Sequence, residues 1–513
     1  MMSHPGLPMV WAQCVVVCTL LLALWALFVP TQGGVSSRRF SFQSIPFAGN
    51  FFKFLTSQLW LLLVLRVIFA GLFVLVIVAG LWGSVIPERN LATTLTWNLW
   101  WSGIVIAIVF TGSAWCAVCP WDTISSWLVK FRLWRRSNSN SLLRLKVPRA
   151  LRNLWPAVAM LAGLTWLELG VGITASPYAT ALLALMMIVM ATLAMALFEN
   201  KAFCRYICPV GRTIGVYSQL APVALRPVDD EVCIQCETLD CYHGSSVESG
   251  EDIAACPTLL VMGRLQESTY CISCGNCTQS CPSQNINWTL RSPAVEVVQE
   301  SRPHIDEAFF MLSLLMLTSF HGLTMLESWQ LLVSSVARQI GDSGQLLASF
   351  SLGFFLCWMT PIALYYGLVK LTAYSLSKTA REITARKLFS GFAFISIPLA
   401  FSYHIAHNLN HLLREGSNWF DLLSNPLGTH TLPLSMAEKH ERMMSMPISN
   451  DILYTLQAVL LLFGFYLAIQ VVRYRARQLF GLTTIQVIPV ILFTVLVATF
   501  NLWLLTQDMV MRL

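Results

Sequence analysis

Apolar residues gather in long runs along the chain, and this pattern predicts helices that cross a membrane. A bilayer core needs about 20 apolar residues per helix. On that measure there are ten candidate spans: 10–30, 58–82, 94–115, 153–174, 178–198, 308–335, 346–371, 391–413, 451–472 and 482–506. Residues 199–305 form the one long and comparatively polar stretch. The pattern therefore predicts a mainly α, polytopic helical membrane protein of about ten spans.

Charged residues between the spans predict how the chain is oriented. Loops 31–57, 116–152, 372–390 and 473–481 are rich in Lys and Arg, whereas the alternate loops are nearly neutral or slightly acidic. Basic loops stay on the cytoplasmic side of a membrane. We therefore expect a multi-pass protein of a bacterial-type inner (cytoplasmic) membrane, with residues 199–305 in the cytoplasm and both termini outside.

Composition agrees with this interpretation and excludes the soluble classes. The chain has 513 residues, 56% of them hydrophobic and 12% charged, and its mean hydropathy is +0.63. Soluble domains carry about 25% charged residues. The net charge of +7 is explained by the basic loops, so we expect membrane lipid rather than nucleic acid as a partner.

The polar stretch contains two cysteine motifs typical of iron–sulfur proteins. Residues 271–282 follow the C-x2-C-x2-C-x3-C-P pattern of a bacterial ferredoxin, in which the fourth cysteine ligates the other cluster. A copy with longer gaps precedes it, and these gaps leave a three-iron or otherwise altered first cluster open. The crossover rule predicts two [4Fe–4S] clusters. Cluster one would be held by Cys233, Cys236, Cys241 and Cys281, and cluster two by Cys271, Cys274, Cys277 and Cys256.

These motifs divide the chain into three predicted domains. Residues 1–198 would form a membrane domain of five helices, and residues 199–305 a cytoplasmic, ferredoxin-like α+β insert. Residues 306–513 would form a second membrane domain of five helices.

Four further cysteines lie where spans three and five end. They form two pairs, each followed by proline: Cys116 and Cys119, and Cys204 and Cys208. Because both spans end on the predicted cytoplasmic side, we expect the four thiols on one rim, and we call them the rim cysteines. They could ligate an additional metal or cluster, form a redox-active dithiol, or simply pack.

With these motifs the chain resembles the membrane polyferredoxins of periplasmic nitrate reductase systems and the nitrous oxide reductase maturation regulators. The resemblance covers roughly residues 60–290. It implies electron transfer that links the quinone pool or a cytoplasmic donor to an extracytoplasmic reductase or cytochrome.

Histidines inside the second half are further candidates for redox chemistry. His321 and His404 lie at matched predicted depth on two spans, as axial ligands of a b-type haem would, whereas His407 and His411 follow on one helix face. The latter two are candidates for a metal, a quinone hydrogen bond or a proton path. Satisfied core histidines are the alternative. Copper is disfavoured, because the methionines near His440 are readily explained by chance.

The leading hypothesis is a membrane-bound iron–sulfur electron-transfer protein that connects its clusters with a quinone, a haem or an extracytoplasmic partner. The alternative is an accessory factor that supplies electrons for maturation of, or metal delivery to, an extracytoplasmic metalloenzyme. Either would be an electron-transfer component of an oxidoreductase system, and whether the chain is itself an enzyme stays open. We expect tryptophans such as Trp97, Trp100 and Trp121 to be interface anchors.

Overall fold

A computed structural model describes residues 3–31, 33–34, 38–130, 142–143, 145–246, 252–376, 383–415, 419–444 and 446–510. Parts of the basic loops 116–152 and 372–390 therefore lie outside the described residues. Within the described ranges the chain is mainly helical with few strands, which confirms the predicted fold class.

Nine helices among the described residues are long and apolar enough to cross a membrane. They are Met9–Phe28, Trp60–Trp82, Leu91–Thr111, Pro177–Leu197, Ile305–Thr324, Leu347–Leu376, Ala385–Arg414, Asn450–Phe480 and Thr484–Thr506. The remaining predicted span appears as a shorter apolar helix, Trp155–Val171. The apolar pattern thus located every span, and the fourth is shorter than the pattern predicted.

Span six differs from the sequence prediction of a single helix over 308–335. Helix Ile305–Thr324 stops, and a separate helix, Glu327–Ile340, follows it. Of this second helix only Trp329 and Ala337 are buried. An apolar window cannot distinguish one long span from a span followed by a half-exposed helix, because both supply enough apolar residues.

Helix Ala385–Arg414 lies at the centre of the membrane domain. Its most apolar window is 94% buried, whereas that of helix Trp60–Trp82 is 11% buried. The central helix contacts both Ile305–Thr324 and Asn450–Phe480. Polar side chains on this helix are therefore shielded from lipid, and this is the helix that carries His404, His407 and His411.

A three-stranded antiparallel sheet joins the polar insert to the loop after the first helix. Strand Ile286–Arg291 lies in the middle, between Arg39–Ser41 and Val223–Pro227. Arg39 also pairs with Asp230 at 2.6 Å. The sheet thus crosses the predicted boundary at residue 198, because a strand from the first predicted domain completes it.

A buried ionic group ties this sheet to the membrane helices. Glu296 pairs with both Arg226 and Arg291 and accepts a hydrogen bond from the backbone N–H of Ser268 at 2.7 Å. Arg475, from the Asn450–Phe480 span, donates from Nε to the carbonyl oxygen of Val297 at 2.7 Å. The insert is therefore anchored to a membrane helix by buried hydrogen bonds.

Two short antiparallel pairs complete the described strands. Ser3–His4 pairs with Met509–Val510, so these two segments lie side by side. Gly244–Ser246 pairs with Asp252–Ala254. The second pair lies inside the 14-residue segment that separates Cys241 from Cys256, and it sets Gly244 opposite Ala254. We call this strand pair the insertion hairpin.

Candidate iron–sulfur sites and an intramembrane cavity

The structure brings together the four cysteines predicted to hold cluster one. The thiol of Cys233 interacts electrostatically with those of Cys236, Cys241 and Cys281. Burial is the main reason that the pKa of Cys233 is raised, and the neighbouring thiols raise it further. Because buried neutral thiols must lose their protons to bind iron, metal binding and proton release are coupled at this group.

The four cysteines predicted to hold cluster two also come together. The buried thiol of Cys277 interacts with those of Cys274, Cys271 and Cys256. The insertion hairpin makes this possible, because the backbone N–H of Cys256 donates to the carbonyl oxygen of Tyr242 at 3.2 Å. Cys241, of the first predicted ligand set, interacts with Cys256 of the second as well as with the cysteines of its own set. The two sets of cysteines are therefore neighbours. Their ligation of iron stays a prediction.

Backbone and side-chain amides surround the sulfur atoms of the insert. Asn285 donates to Sγ of Cys233 at 3.4 Å, and the backbone N–H of Leu260 donates to Sγ of Cys256 at 3.3 Å. The backbone N–H of Ser273 donates to Sγ of Cys271 at 3.4 Å. Hydrogen bonds to sulfur stabilise thiolates and tune the reduction potentials of iron–sulfur clusters, so these donors suit the predicted ligands.

The two rim pairs have closely similar local structures. Cys119 and Cys208 each directly precede a helix that begins with proline, Pro120–Lys130 and Pro209–Ser218. Sγ of Cys208 accepts from the backbone N–H of Gly211 at 3.3 Å, and the thiol of Cys119 likewise interacts with the backbone N–H of Asp122. In both pairs, therefore, the second sulfur lies at the N-terminus of a helix, where the positive end of the dipole favours a thiolate.

The different spacings within the two pairs have a structural reason. Cys116 lies in a single α-helical turn, Trp115–Val118, whereas Cys204 lies in a wider π-helical turn, Phe203–Ile207. In each case the cysteine is the second residue of the turn. A π-helical turn accommodates one extra residue, so the three-residue spacing of the second pair presents its cysteines as the two-residue spacing does.

All four rim thiols converge although they come from two distant segments. Cys119 interacts electrostatically with Cys204 and Cys208, and Cys116 interacts with Cys208. Burial raises the pKa of Cys116 to about 12, and it also raises the pKa values of the other three thiols. The nearby Lys201–Asp122 ion pair, 2.7 Å long, links the segments that carry the two cysteine pairs.

Arg212 lies between the rim cysteines and the insert. Its side chain is buried, and its guanidinium carbon is 4.6 Å from the ring centroid of Tyr270. The charge of Arg212 lowers the pKa values of Cys116 and Cys208, although burial outweighs this effect. Tyr270 directly precedes Cys271, so one buried cation adjoins both the rim and the second cysteine group of the insert.

A cavity of about 350 Å³ begins next to the rim cysteines and extends into the membrane domain. Its lining includes Pro120 and Pro209, each directly after a rim cysteine, and also His321 and His404. Most of the lining is apolar. Five tryptophans contribute to it: Trp97, Trp100, Trp101, Trp115 and Trp121. These side chains line the cavity, whereas the sequence alone suggested interface anchors.

Each of the two histidines predicted as haem ligands has a polar partner. His321 Nε2 is 3.2 Å from Oε2 of Glu168, and His404 Nδ1 is 3.2 Å from the hydroxyl of Tyr217. Sequence reasoning missed both partners. Glu168 could have been noticed, because an acid within a predicted span is a functional candidate. Tyr217 carries no such signal, since it lies on the short helix after the rim.

His407 and His411 lie farther along the central helix. Their ring centroids are 5.0 Å apart, and both line a smaller cavity of about 70 Å³ that also touches Glu168 and His321. No three His, Cys, Asp or Glu side chains in the described part of the chain are arranged to hold a single metal ion. A metal at His407 and His411 therefore stays a prediction without a third such ligand among these residues.

Comparison with known proteins connects the rim segments with iron–sulfur chemistry. A family model described as a 4Fe-4S binding domain matches residues 93–139 and 180–220, which contain both rim pairs. "Putative electron transport protein YccM" of Escherichia coli (strain K12) is 31% identical over 102 residues, or 19% of this chain and 25% of that protein. The aligned region therefore spans about a quarter of that relative's length. No solved structure matches the chain.

These matches confirm the resemblance to membrane polyferredoxin-type iron–sulfur electron-transfer proteins. The chain thus combines helices that are long and apolar enough to cross a membrane with segments that match a 4Fe-4S binding domain. The matched segments lie in the first half of the chain and end before the eight insert cysteines. The helices that contribute His321 and His404 lie outside them.

Proposed function

We propose that this protein exchanges electrons between its cytoplasmic insert and a quinone bound in the 350 Å³ cavity. When bound, iron–sulfur clusters supply one-electron transfer. The observation that carries the proposal is the position of the cavity, which adjoins the rim cysteines at Pro120 and Pro209 and also reaches His321 and His404. A ligand there would be within reach of both the cysteine sites and polar groups.

The lining of the cavity suits a quinone headgroup. Small-molecule sites are typically 300–1,000 Å³, mostly apolar, with a few placed polar groups. A quinone is a flat apolar ring with two carbonyl oxygens, which need hydrogen-bond donors. His404, whose Nδ1 lies against the hydroxyl of Tyr217, can supply such a donor through Nε2. The His321–Glu168 pair adds a second polar group to a wall that is otherwise aromatic and aliphatic.

A b-type haem between His321 and His404 is the second candidate for this space. Two axial ligands would have to present one imidazole nitrogen each across the cavity. Because Glu168 lies against Nε2 of His321, the nitrogen farther from the backbone is already engaged. This contact favours a quinone over a haem, and a dithionite-reduced spectrum without b-type bands, in protein made with haem available, would agree.

The orientation of the chain in the membrane is part of the same proposal. The basic loops support a cytoplasmic insert in an inner membrane of bacterial type, with both termini on the outside. The loop after the first helix supports this arrangement, because its strand Arg39–Ser41 pairs with the insert. A membrane quinone would then connect the protein with an extracytoplasmic reductase or cytochrome without direct contact.

Quinone binding can be measured in the full-length, anaerobically purified protein. The five cavity tryptophans make intrinsic fluorescence a direct signal, so we expect decylubiquinone to quench it saturably. Ala184 is buried and lines the cavity, so Ala184→Phe should fill the space and abolish the saturable quenching. His404→Ala should weaken binding about three- to tenfold, as expected for one hydrogen bond.

His440→Gln is the matched control, because His440 is exposed on helix Met436–Met444, away from the cavity lining. It should leave the quenching unchanged. Failure of decylubiquinone to quench the wild type, or equal quenching in wild type and Ala184→Phe, would overturn the quinone assignment.

A further inference from the structure

We infer that Cys116, Cys119, Cys204 and Cys208 together hold a third iron–sulfur cluster and that Arg212 is its counter-cation. This inference deepens the proposed function, because it places a redox centre between the insert and the cavity. It does not depend on the ligand in the cavity. The matched 4Fe-4S domain model covers these segments but specifies neither the ligand set nor the cation.

The first step is the convergence of four thiols from two segments. Cys119, Cys204 and Cys208 line one small cavity, and Cys116 interacts with Cys208 and with Arg212. Four cysteines are the usual ligand set of a cubane cluster.

The second step is the set of positive groups aimed at these sulfurs. The helices Pro120–Lys130 and Pro209–Ser218 both begin directly after a rim cysteine, so two helix N-termini face the group. The backbone N–H of Gly211 already donates to Sγ of Cys208. This environment stabilises negative charge on sulfur, and a cluster with four thiolate ligands carries such a charge.

The third step is the unpaired charge of Arg212. The residue is 1% exposed, and its Nε and Nη1 atoms have no hydrogen-bond acceptor among the described residues. Its carboxylate neighbour Glu307 accepts a hydrogen bond from Tyr270 at 3.0 Å, and the guanidinium lies over the ring of that tyrosine. A buried guanidinium with two unsatisfied nitrogens is unfavourable, so an anion on the cysteine side would stabilise it.

This requirement separates a cluster from a dithiol. A disulfide and a pair of protonated thiols are both neutral, so neither would compensate the guanidinium. An anionic cluster would do so. Its position would also be functional, since Arg212 adjoins Tyr270 and therefore Cys271 on the insert side, whereas Pro120 and Pro209 open onto the cavity.

Iron and acid-labile sulfide content test the ligand set. Three cubane clusters predict about twelve iron atoms per chain in anaerobically reconstituted wild type. Cys116→Ser combined with Cys204→Ser should lower this to about eight, a loss of one third. Cys357→Ser, a half-buried cysteine within a span, is the matched control and should keep the wild-type content.

Arg212 is tested by a potentiometric titration followed by electron paramagnetic resonance. A nearby cation stabilises the more negative, reduced cluster. Arg212→Met should therefore shift the reduced-to-oxidised ratio of the rim cluster at least tenfold towards oxidised at a fixed potential, which corresponds to 59 mV for one electron. Arg212→Lys should keep the ratio within about twofold. Arg264→Met, at an exposed insert residue, should leave it unchanged.

The outcomes separate the claims. Eight irons in wild type, or no loss in the double variant, would overturn the rim cluster. A rim cluster with the same potential in wild type and Arg212→Met would overturn the role of Arg212 alone. Should Arg212→Met fail to accumulate, Arg212→Gln takes its place. An Arg212→Gln variant whose rim cluster titrates like that of Arg212→Lys would also overturn the role of Arg212. Loss of quinone binding with an intact rim cluster would affect only the proposed function.

Discussion

The cysteines of the insert and those of the rim reach similar groupings by different routes. All eight insert cysteines lie between Cys233 and Cys281, in one polar segment that a strand pair and a hairpin fold back on itself. The rim cysteines come from two segments separated by three helices of the membrane domain: Pro120–Lys130, Trp155–Val171 and Pro177–Leu197. The first group is therefore local in sequence, and the second exists only when the helices pack.

This difference has consequences for stability. The insert has a small apolar core that includes Cys277 and Cys281, so its fold should depend on bound metal. The rim group lies among long membrane helices that pack independently of it. We therefore expect metal loss to unfold the insert but to leave the rim segments in place.

Substituting one buried cysteine in each group is expected to give the largest contrast. Cys277→Ser should remove cluster two and expose the insert to proteolysis, because its folding is coupled to metal binding. Cys208→Ser, at a similarly buried position, should lose iron while the insert stays resistant. Limited proteolysis with iron analysis distinguishes them, and an equally resistant insert in both variants would contradict the contrast.

A large effect on the insert alone is expected from Glu296→Gln. The change leaves Arg226 and Arg291 buried without their carboxylate, and breaking a buried ion pair typically costs 3–5 kcal/mol. The free energy of unfolding of the insert should fall by about that amount. Glu300→Gln, four residues along the chain, is the control. Similar losses in the two variants would show that the ionic group is not responsible.

Acid should weaken the insert through the same carboxylate. Burial alone would raise the pKa of Glu296, but the charges of Arg226 and Arg291 outweigh it and hold the pKa below its usual value. The stabilisation is therefore complete above the unfolded pKa of about 4.3 and is lost as pH falls through the lower folded pKa. Unfolding measured from pH 7 downwards should show this loss in wild type, and Glu296→Gln should lack this contribution.

A smaller change tests the contact between the two regions. A Cβ atom on Gly215 would lie 2.1 Å from the carbonyl oxygen of Thr269, two residues before Cys271. Gly215→Ala should therefore push the insert away from helix Pro209–Ser218, which carries Gly215, and should lower the free energy of unfolding by about 1–3 kcal/mol. In Gly103→Ala the new Cβ would meet no atom within 4 Å, so this control should stay near wild type in thermal unfolding.

The smallest effect is expected at the surface of the insert. Arg39 pairs with Asp230 at 2.6 Å, but the aspartate side chain is 60% exposed. Exposed ion pairs typically contribute about 0.2–1 kcal/mol, so Arg39→Ala should lower the free energy of unfolding of the insert by no more than this. A loss as large as that of Glu296→Gln would show that strand Arg39–Ser41 contributes much more than its ion pair.

Much of the architecture was predictable because lipid imposes a simple rule on sequence. Each span needs an apolar run, so the runs located the helices, including the short one at Trp155–Val171. Span six shows the limit, since helix Glu327–Ile340 is apolar enough to extend a predicted span although most of it is not buried. Composition alone does not reveal which face of a helix meets lipid.

The candidate sites likewise separate into those that local sequence motifs predict and those that form only when the helices pack. Motif spacing by itself predicted how the cysteines of the insert group, because ligands within one short segment are constrained by chain length. The structure brings the members of each predicted group together, and their ligation of iron stays a prediction. Tertiary structure alone decided that the two rim pairs meet, that Arg212 lies between them and the insert, and that five tryptophans enclose a cavity. It also placed Glu168 against His321. These contacts join residues far apart in the chain, and no local pattern encodes them, since only helix packing sets the distances between them.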